Sequence, residues 1–405
     1  MPTLPNFTQF DGRYWDTGSI RNALDYQGSA APHTGKAYDE AMLLGISGGI
    51  AFGYFTFHYQ GYDPQVNLLT RNTFEPMQRI CERLGIEVKW LRAASVERMR
   101  QNLTQSLEAG QAPIAHPDMY LLEYNCLEGD AATWGAMPLV VFGYEPGGAA
   151  MLSDRSAQPL TVPAKAFDRA MSRVKKDRHG LMLLGHPDNE RLPTAMRAGL
   201  RDAVQLMLEK PPKGAARNFG VKALAHWQKM LGGTGKGSWA KEYSYGRACL
   251  AAHTSAYRFL TPAFGKTWAA DRDSYADFLR QAAAVLGEND LIEVAALYDE
   301  AGAAWQCLLD ALLPADAALL RRARELIDHG ATTFIAEGGA GLATIADCRD
   351  ELAGLMQLAE ADFPLDESDM AEIRANLRES VARVEATEAR AILALKAACV
   401  TIGAD

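Results

Sequence analysis

The stretch TWGAMPLVVFGYEPGGAAMLSDR, residues 133–155, decides how the N-terminal part of the chain is read. Pro138–Phe142 and Ala149–Ser153 are short apolar runs, and YEPGG between them carries the Pro and Gly that a tight hairpin turn uses. Working outward, Pro113–His116, Glu87–Trp90 and the aromatic run Tyr54–Tyr59 read as further strands. Helical spacing alternates with them. A first helix reads from Ser19 with Ile20, Ala23 and Leu24 on one face and Gly28 ending it, and Asp39–Leu44 reads as a helix turn. Phe74, Met77, Ile80, Cys81 and Leu84 trace another helix; Ser95 caps a third, which stops at Gly110. Helices with returning antiparallel strands predict an α+β domain.

From about Thr161 onward the spacing reads as almost wholly helical. Leu291, Val294, Leu297, Tyr298, Ala301, Trp305, Leu308 and Leu312 form one apolar face, and Met370, Ile373, Leu377, Val381, Val384, Ala391 and Leu395 another. Ala315–His329, closed by Gly330, is the expected partner of that last helix. Lys210–Gly214 (KPPKG) reads as a linker, because paired prolines stop a helix. The expected segments are 1–165, connecting helices over 166–214, a helical domain over 215–313, and a long-helix extension over 314–405.

The 405 residues carry a net charge of −9, which argues against non-specific nucleic-acid binding. A local basic run, Lys165, Arg173, Lys175, Lys176 and Arg178, reads as a solvated helix face. The start MPTLPNFTQFDGRYW has neither a basic opening nor a long apolar stretch, so no signal peptide is expected. Nor does any window approach the roughly 18–20 apolar residues of a membrane span. The six cysteines are widely spaced without a CxxC pair, a pattern suited to reduced thiols in the cytoplasm and not to a zinc site.

Two glycine-rich stretches fail as phosphate loops. In GGTGKGS (232–238) Gly237 follows the lysine where Ser or Thr is needed, and LGISGGIAFG (44–53) runs helix to strand, the reverse of a dinucleotide fold. No metal or cofactor site is expected. His116 and Asp118 flank Pro117 on a predicted strand and would share a face, as a surface pair or as an acid/base pair.

The order of motifs adds a family. DTGSIRNALDYQG (16–28), DEAMLLGISGGIAFGYF (39–55), HPDMYLLEY (116–124), TWGAMPLVVFGYE (133–145) and MLSDR (151–155) together resemble the N-terminal domain of the butirosin-biosynthesis H (BtrH) family. NFGVKALAHW (218–227) and SYADFLRQAA (274–283) resemble the helical domain that follows it there. The resemblance implies a papain-like (cysteine-peptidase-like) fold before a mostly helical domain. It also implies transfer of an acyl or aminoacyl group from a carrier-protein thioester to an amine.

That chemistry asks for a thiolate at a helix N-terminus, a His base and an Asp that orients it. The family's His-Cys pair falls on Tyr14 and Trp15, its base on Met137, and only the third member is kept, as Asp154. Ordinary thiol catalysis is therefore not expected. Cys126 is a possible substitute nucleophile, whereas Cys81 reads as core. The resemblance leaves Asp154, Asp118, Tyr14 and His116 as candidate catalytic groups. Trp15, Asp16, Thr17, Tyr120, Trp134, Met137 and Arg155 are candidate substrate contacts, although Asp16 and Thr17 also read simply as helix caps. The implied partners are an acyl carrier protein or a thioester-linked small molecule, a sister subunit, or a second copy. Three roles follow: a tailoring protein of specialised metabolism with altered chemistry, a non-catalytic scaffold, or a small-molecule sensor or carrier.

Overall fold

A computed structural model of the chain describes residues 2–127, 133–176, 178–209 and 211–403. Its strands are β1 (Ile50–Phe57), β2 (Gln65–Arg71), β3 (Val88–Leu91), β4 (Ile114–Ala115), β5 (Leu139–Tyr144), β6 (Ala149–Ser153), β7 (Leu160–Pro163) and β8 (Leu181–Leu184). The helices begin with α1 (Trp15–Tyr26), α2 (Glu40–Ile46), α3 (Pro76–Arg83), α4 (Val96–Glu108), α5 (Ala164–Arg173), α6 (Leu192–Val204) and α7 (Val221–Gly232). They continue with α8 (Trp239–Glu242), α9 (Gly246–Phe259), α10 (Arg272–Leu286), α11 (Asp290–Leu312), α12 (Ala318–Glu337), α13 (Leu342–Ala361) and α14 (Glu367–Thr401). The class is α+β, as expected.

Two compact units interleave along the chain. The first comprises residues 1–43, 75–192 and 331–346; the second comprises 44–74, 193–330 and 347–405. Lys210, the first residue of the expected linker, lies outside the described residues.

In the first unit a six-stranded antiparallel sheet runs in the order β3-β8-β4-β5-β6-β7. The β5–β6 hairpin turns where YEPGG stands: Gly148 N donates to Glu145 O, and Gly147 takes φ 79°, which favours glycine. Helices α1, α4 and α5 pack on this sheet. Gly18 of α1 lies backbone to backbone with Gly12, so that a Cβ on Gly18 would meet the Gly12 Cα at 2.9 Å. The segment before α1 is laid across the helix by this contact, and Gly12 N donates to Asn22 Oδ1 at 3.1 Å.

Several local expectations shift. Helix α1 starts at Trp15, four residues before Ser19. Strand β8 lies in the region expected to be wholly helical: Leu181–Leu184 is an uninterrupted buried run of four, which periodicity cannot tell from buried helix. Strand β4 holds only Ile114 and Ala115, so His116 and Asp118 lie beyond its end and strand alternation does not govern their directions.

In the second unit β1 and β2 form an antiparallel pair, and α14 packs along α11 and α7. The expected partner helix instead runs through Gly330 to Glu337 as α12. Of the α11 face, Leu291, Val294, Tyr298, Ala301, Trp305, Leu308 and Leu312 are buried, and Leu297 is half-buried. Asp366 closes the start of α14 in a capping box with Asp369. Among the described residues no helix is long and apolar enough to cross a membrane.

Candidate functional site

Helix α1 begins at Trp15, one of the candidate residues read from the sequence. Trp15 is the first helical residue and is 3% exposed; the Tyr14 ring meets its indole edge to face at 5.7 Å. Tyr14 is the N-cap but gives no side-chain cap. The acceptor there is Glu40 of α2, whose carboxylate takes Arg13 N at 2.5 Å, Tyr14 N at 3.1 Å and Thr17 Oγ1 at 2.6 Å. Thr17 and Asp16 therefore sit inside the first turn, and the capping read for them from the sequence falls to Glu40. A carboxylate beside the positive end of a helix is favourably placed.

The end of β6 brings in Asp154 and Arg155. The Arg155 guanidinium donates to Asp154 Oδ1 at 2.9 Å and Oδ2 at 3.1 Å, and to Asn125 Oδ1 at 2.6 Å. Its Cζ stands 4.3 Å from the centre of the Trp15 ring and 4.9 Å from that of Phe334. Tyr124 OH donates to Asp154 Oδ2 at 3.0 Å, and its ring stacks on Phe334 at 6.0 Å. Burial first, and then the Asp154 charge, push Tyr124 well above its ordinary value, so it stays a proton donor. Both Asp154 oxygens are thus engaged. A planar cation between two aromatic faces, forked onto a carboxylate, is an arrangement arginine suits well.

Asp118 forms a second cluster. It is 0% exposed, and its Oδ1 accepts Tyr120 N and Gly135 N, each at 3.1 Å. Oδ2 lies 3.8 Å from Arg173 Nε, and among the described residues no hydrogen-bond donor reaches it. Through Gly135, Asp118 holds the segment that leads to Met137, whose N–H donates to Pro117 O at 3.2 Å. Half-buried Tyr120 is pushed up by burial and by the Asp118 charge. Trp134 is 60% exposed. The His116 ring packs beside Trp90 at 5.7 Å, so the structure takes His116 toward β3 and Asp118 toward Gly135.

The residues read from the sequence therefore fall into three places: Tyr14, Trp15, Asp154 and Arg155 together, Asp118 with Tyr120 and the 135–137 segment, and His116 at β3. Cys126 follows Asn125 directly, in a left-handed conformation with φ 48°. Sequence reasoning missed Glu40, Tyr124, Asn125 and Phe334. Glu40 and Tyr124 stand inside the quoted motifs, but Phe334 arrives from α12 with no local signal. Among the described residues no group of three or more His, Cys, Asp or Glu side chains could hold a metal ion.

Residues 15–155 match the model of a family described as butirosin biosynthesis protein H, N-terminal. Residues 166–327 match a domain of unknown function, DUF4872. No curated protein matches the chain.

Proposed function

Residues 15–155 belong to the butirosin biosynthesis protein H N-terminal family, and from that premise we propose that this papain-like domain binds an acyl thioester borne by a carrier protein without forming an acyl-enzyme. In this reading the chain is a non-catalytic partner subunit of specialised-metabolite biosynthesis in the cytoplasm. Its C-terminal helices supply the surface on which the carrier or a sister enzyme docks.

The observation that carries the reading is Arg155, which joins Asp154 to the Trp15 ring. Indole and thioether side chains at positions 15 and 137 neither ionise nor relay protons. The aspartate that would orient a base is instead engaged by an arginine, which stays protonated at any working pH. Binding, positioning and proximity are what remain available to such a site.

The test is to incubate the purified chain with an acyl-loaded carrier protein and an amine acceptor. Intact-mass spectrometry follows the covalent state and native mass spectrometry follows the complex. A carrier complex with no acyl adduct and no amide product is expected. An acyl adduct on the chain would refute the reading.

Asp118 favours a second reading, in which the domain performs altered, non-cysteine chemistry. A fully buried carboxylate oxygen without a hydrogen-bond donor is costly and uncommon, and such groups concentrate at working sites. Amide formation by the chain alone, lost in Asp118→Asn and kept in the parent, would establish that reading in place of the first.

A further inference from the structure

A recess of about 240 Å³ opens at the edge of the first unit's sheet, lined by Trp90, Arg92, Lys175, Lys176, Arg178 and Gly180. None of the residues of the Asp154 or Asp118 clusters lines it. The fold builds it from two chain ends: Leu91 pairs with Leu181 across β3 and β8, which sets Arg92 beside Gly180. The connection that follows α5 then supplies Lys175, Lys176 and Arg178. These are the residues whose run reads, from sequence, as a solvated helix face. They lie past the end of α5 and close a concave surface with β3. Asp177 lies outside the described residues.

Trp90 forms one wall of this recess. It is 39% exposed, with the Arg92 guanidinium 5.2 Å from its ring centre and the His116 ring at 5.7 Å. Among the described residues none of Arg92, Lys175, Lys176 and Arg178 has an ion-pair partner, although most other arginines do. Even with the Asp177 carboxylate between Lys176 and Arg178 in sequence, these side chains leave the segment and Arg92 net positive, which favours a bound anion. The neighbouring His179 is pushed down, first by burial and then by the Arg178 charge.

We infer that this recess is a binding site for the phosphate group of a small phosphorylated molecule. Ligand pockets that enclose a whole compound run to roughly 300–1,000 Å³; this one is smaller and open, so it receives a charged head and leaves the rest of the ligand outside. Two guanidinium groups and two ammonium groups provide bidentate and point contacts to phosphate oxygens. A long polyanion is disfavoured, because the rest of a chain of net charge −9 repels it. The site is independent of the reading of the Trp15–Asp154 region and is tested separately.

The experiment is calorimetric titration of the full chain with inorganic pyrophosphate, with adenosine monophosphate and with a short single-stranded oligonucleotide, at physiological ionic strength. Saturable binding of pyrophosphate or of the monophosphate is expected, weakened at least about tenfold in Arg92→Ala/Arg178→Ala and in Lys175→Ala/Lys176→Ala. All four side chains are exposed, so these variants keep the fold, and unchanged circular dichroism and melting check this. Tighter binding of the nucleotide than of pyrophosphate assigns the ligand to nucleotides; the reverse assigns it to simpler phosphates. Three results overturn the proposal: no saturable binding of either small phosphate, binding that both double variants leave intact, or binding of the oligonucleotide alone.

Discussion

Asp154 and Arg155, adjacent in sequence, face each other through two hydrogen bonds of 2.9 and 3.1 Å, with Arg155 in the left-handed backbone region at φ 48°. Ser156 N donates back to Asp154 O, which closes the turn. Arg155→Met leaves the Asp154 carboxylate buried without its cation, and a loss of about 3–5 kcal/mol is expected in denaturant unfolding. Because the backbone is left-handed, Arg155→Gly should be more stable than Arg155→Ala by about 1 kcal/mol. Equal stability of those two variants would show that the turn relaxes.

His253 reports on the second unit. It is fully buried, its Nδ1 lies 2.7 Å from Leu312 O, and burial pushes it down to about 4. The folded value lies below the unfolded one of about 6.5. The unfolded chain therefore takes up the proton first as pH falls. The stability contributed by the neutral ring is whole above about pH 6.5 and is lost toward pH 4, in total about 3 kcal/mol. Urea unfolding followed across that window should show the slope, and His253→Gln should flatten it. Asp271 does not share the window: burial raises it, but Arg71 and Lys266 hold it below the usual carboxylate range. Its contribution fades only below about pH 4.

Arg272 and Glu388, both fully buried, pair at 2.5 Å, and Trp305 Nε1 donates to the same carboxylate oxygen at 2.7 Å. Removing either ion alone strands the other, at about 3–5 kcal/mol. The double variant Arg272→Met/Glu388→Leu should cost less than the sum of the two, by about 2 kcal/mol in a double-mutant cycle. It should not return to the parent value, because Arg272 also donates to the carbonyls of Ala51, Thr70 and Ala270.

The cysteines separate by burial. Cys307 is exposed, whereas Cys81 and Cys249 are buried and pushed up to about 12 by desolvation. Labelling of the native chain with an aromatic disulfide should show a fast phase at Cys307, absent in Cys307→Ser, and reaction at Cys81 and Cys249 only on unfolding. A faster burst at Cys126 would instead mark it as an activated thiol and reopen the nucleophile question.

The legible parts of this fold are those whose chemistry is local. The β5–β6 hairpin was readable because Pro146, Gly147 and Gly148 mark the turn between two apolar runs, and α4 because Ser95 accepts Arg98 N at its start. Strand β8 was not, since Leu181–Leu184 carries no period. Helix α1 begins at Trp15 and not Ser19 because its first turn is organised by Glu40, over twenty residues away, and by the Gly12–Gly18 crossing. That Trp15 and Met137 stand where the family pattern has its Cys and His is an expectation drawn from motif order alone. The setting of Arg155 was not legible: it is held by Asn125 and Phe334, partners that no local pattern in MLSDR announces.

Residues 331–346 complete the first unit from far along the chain, and they include Phe334, one of the two rings against Arg155. About 140 residues separate Leu192 from Ala331. At roughly 5–20 residues per second of synthesis, the N-terminal unit waits roughly 7–28 s for its last piece. During that interval Tyr124 and Arg155 lack the Phe334 ring, so order of manufacture and order of assembly do not coincide. A fragment ending at Leu192 would hold the same unfinished state permanently, and a chaperone that shields exposed apolar surface would find its clearest target there.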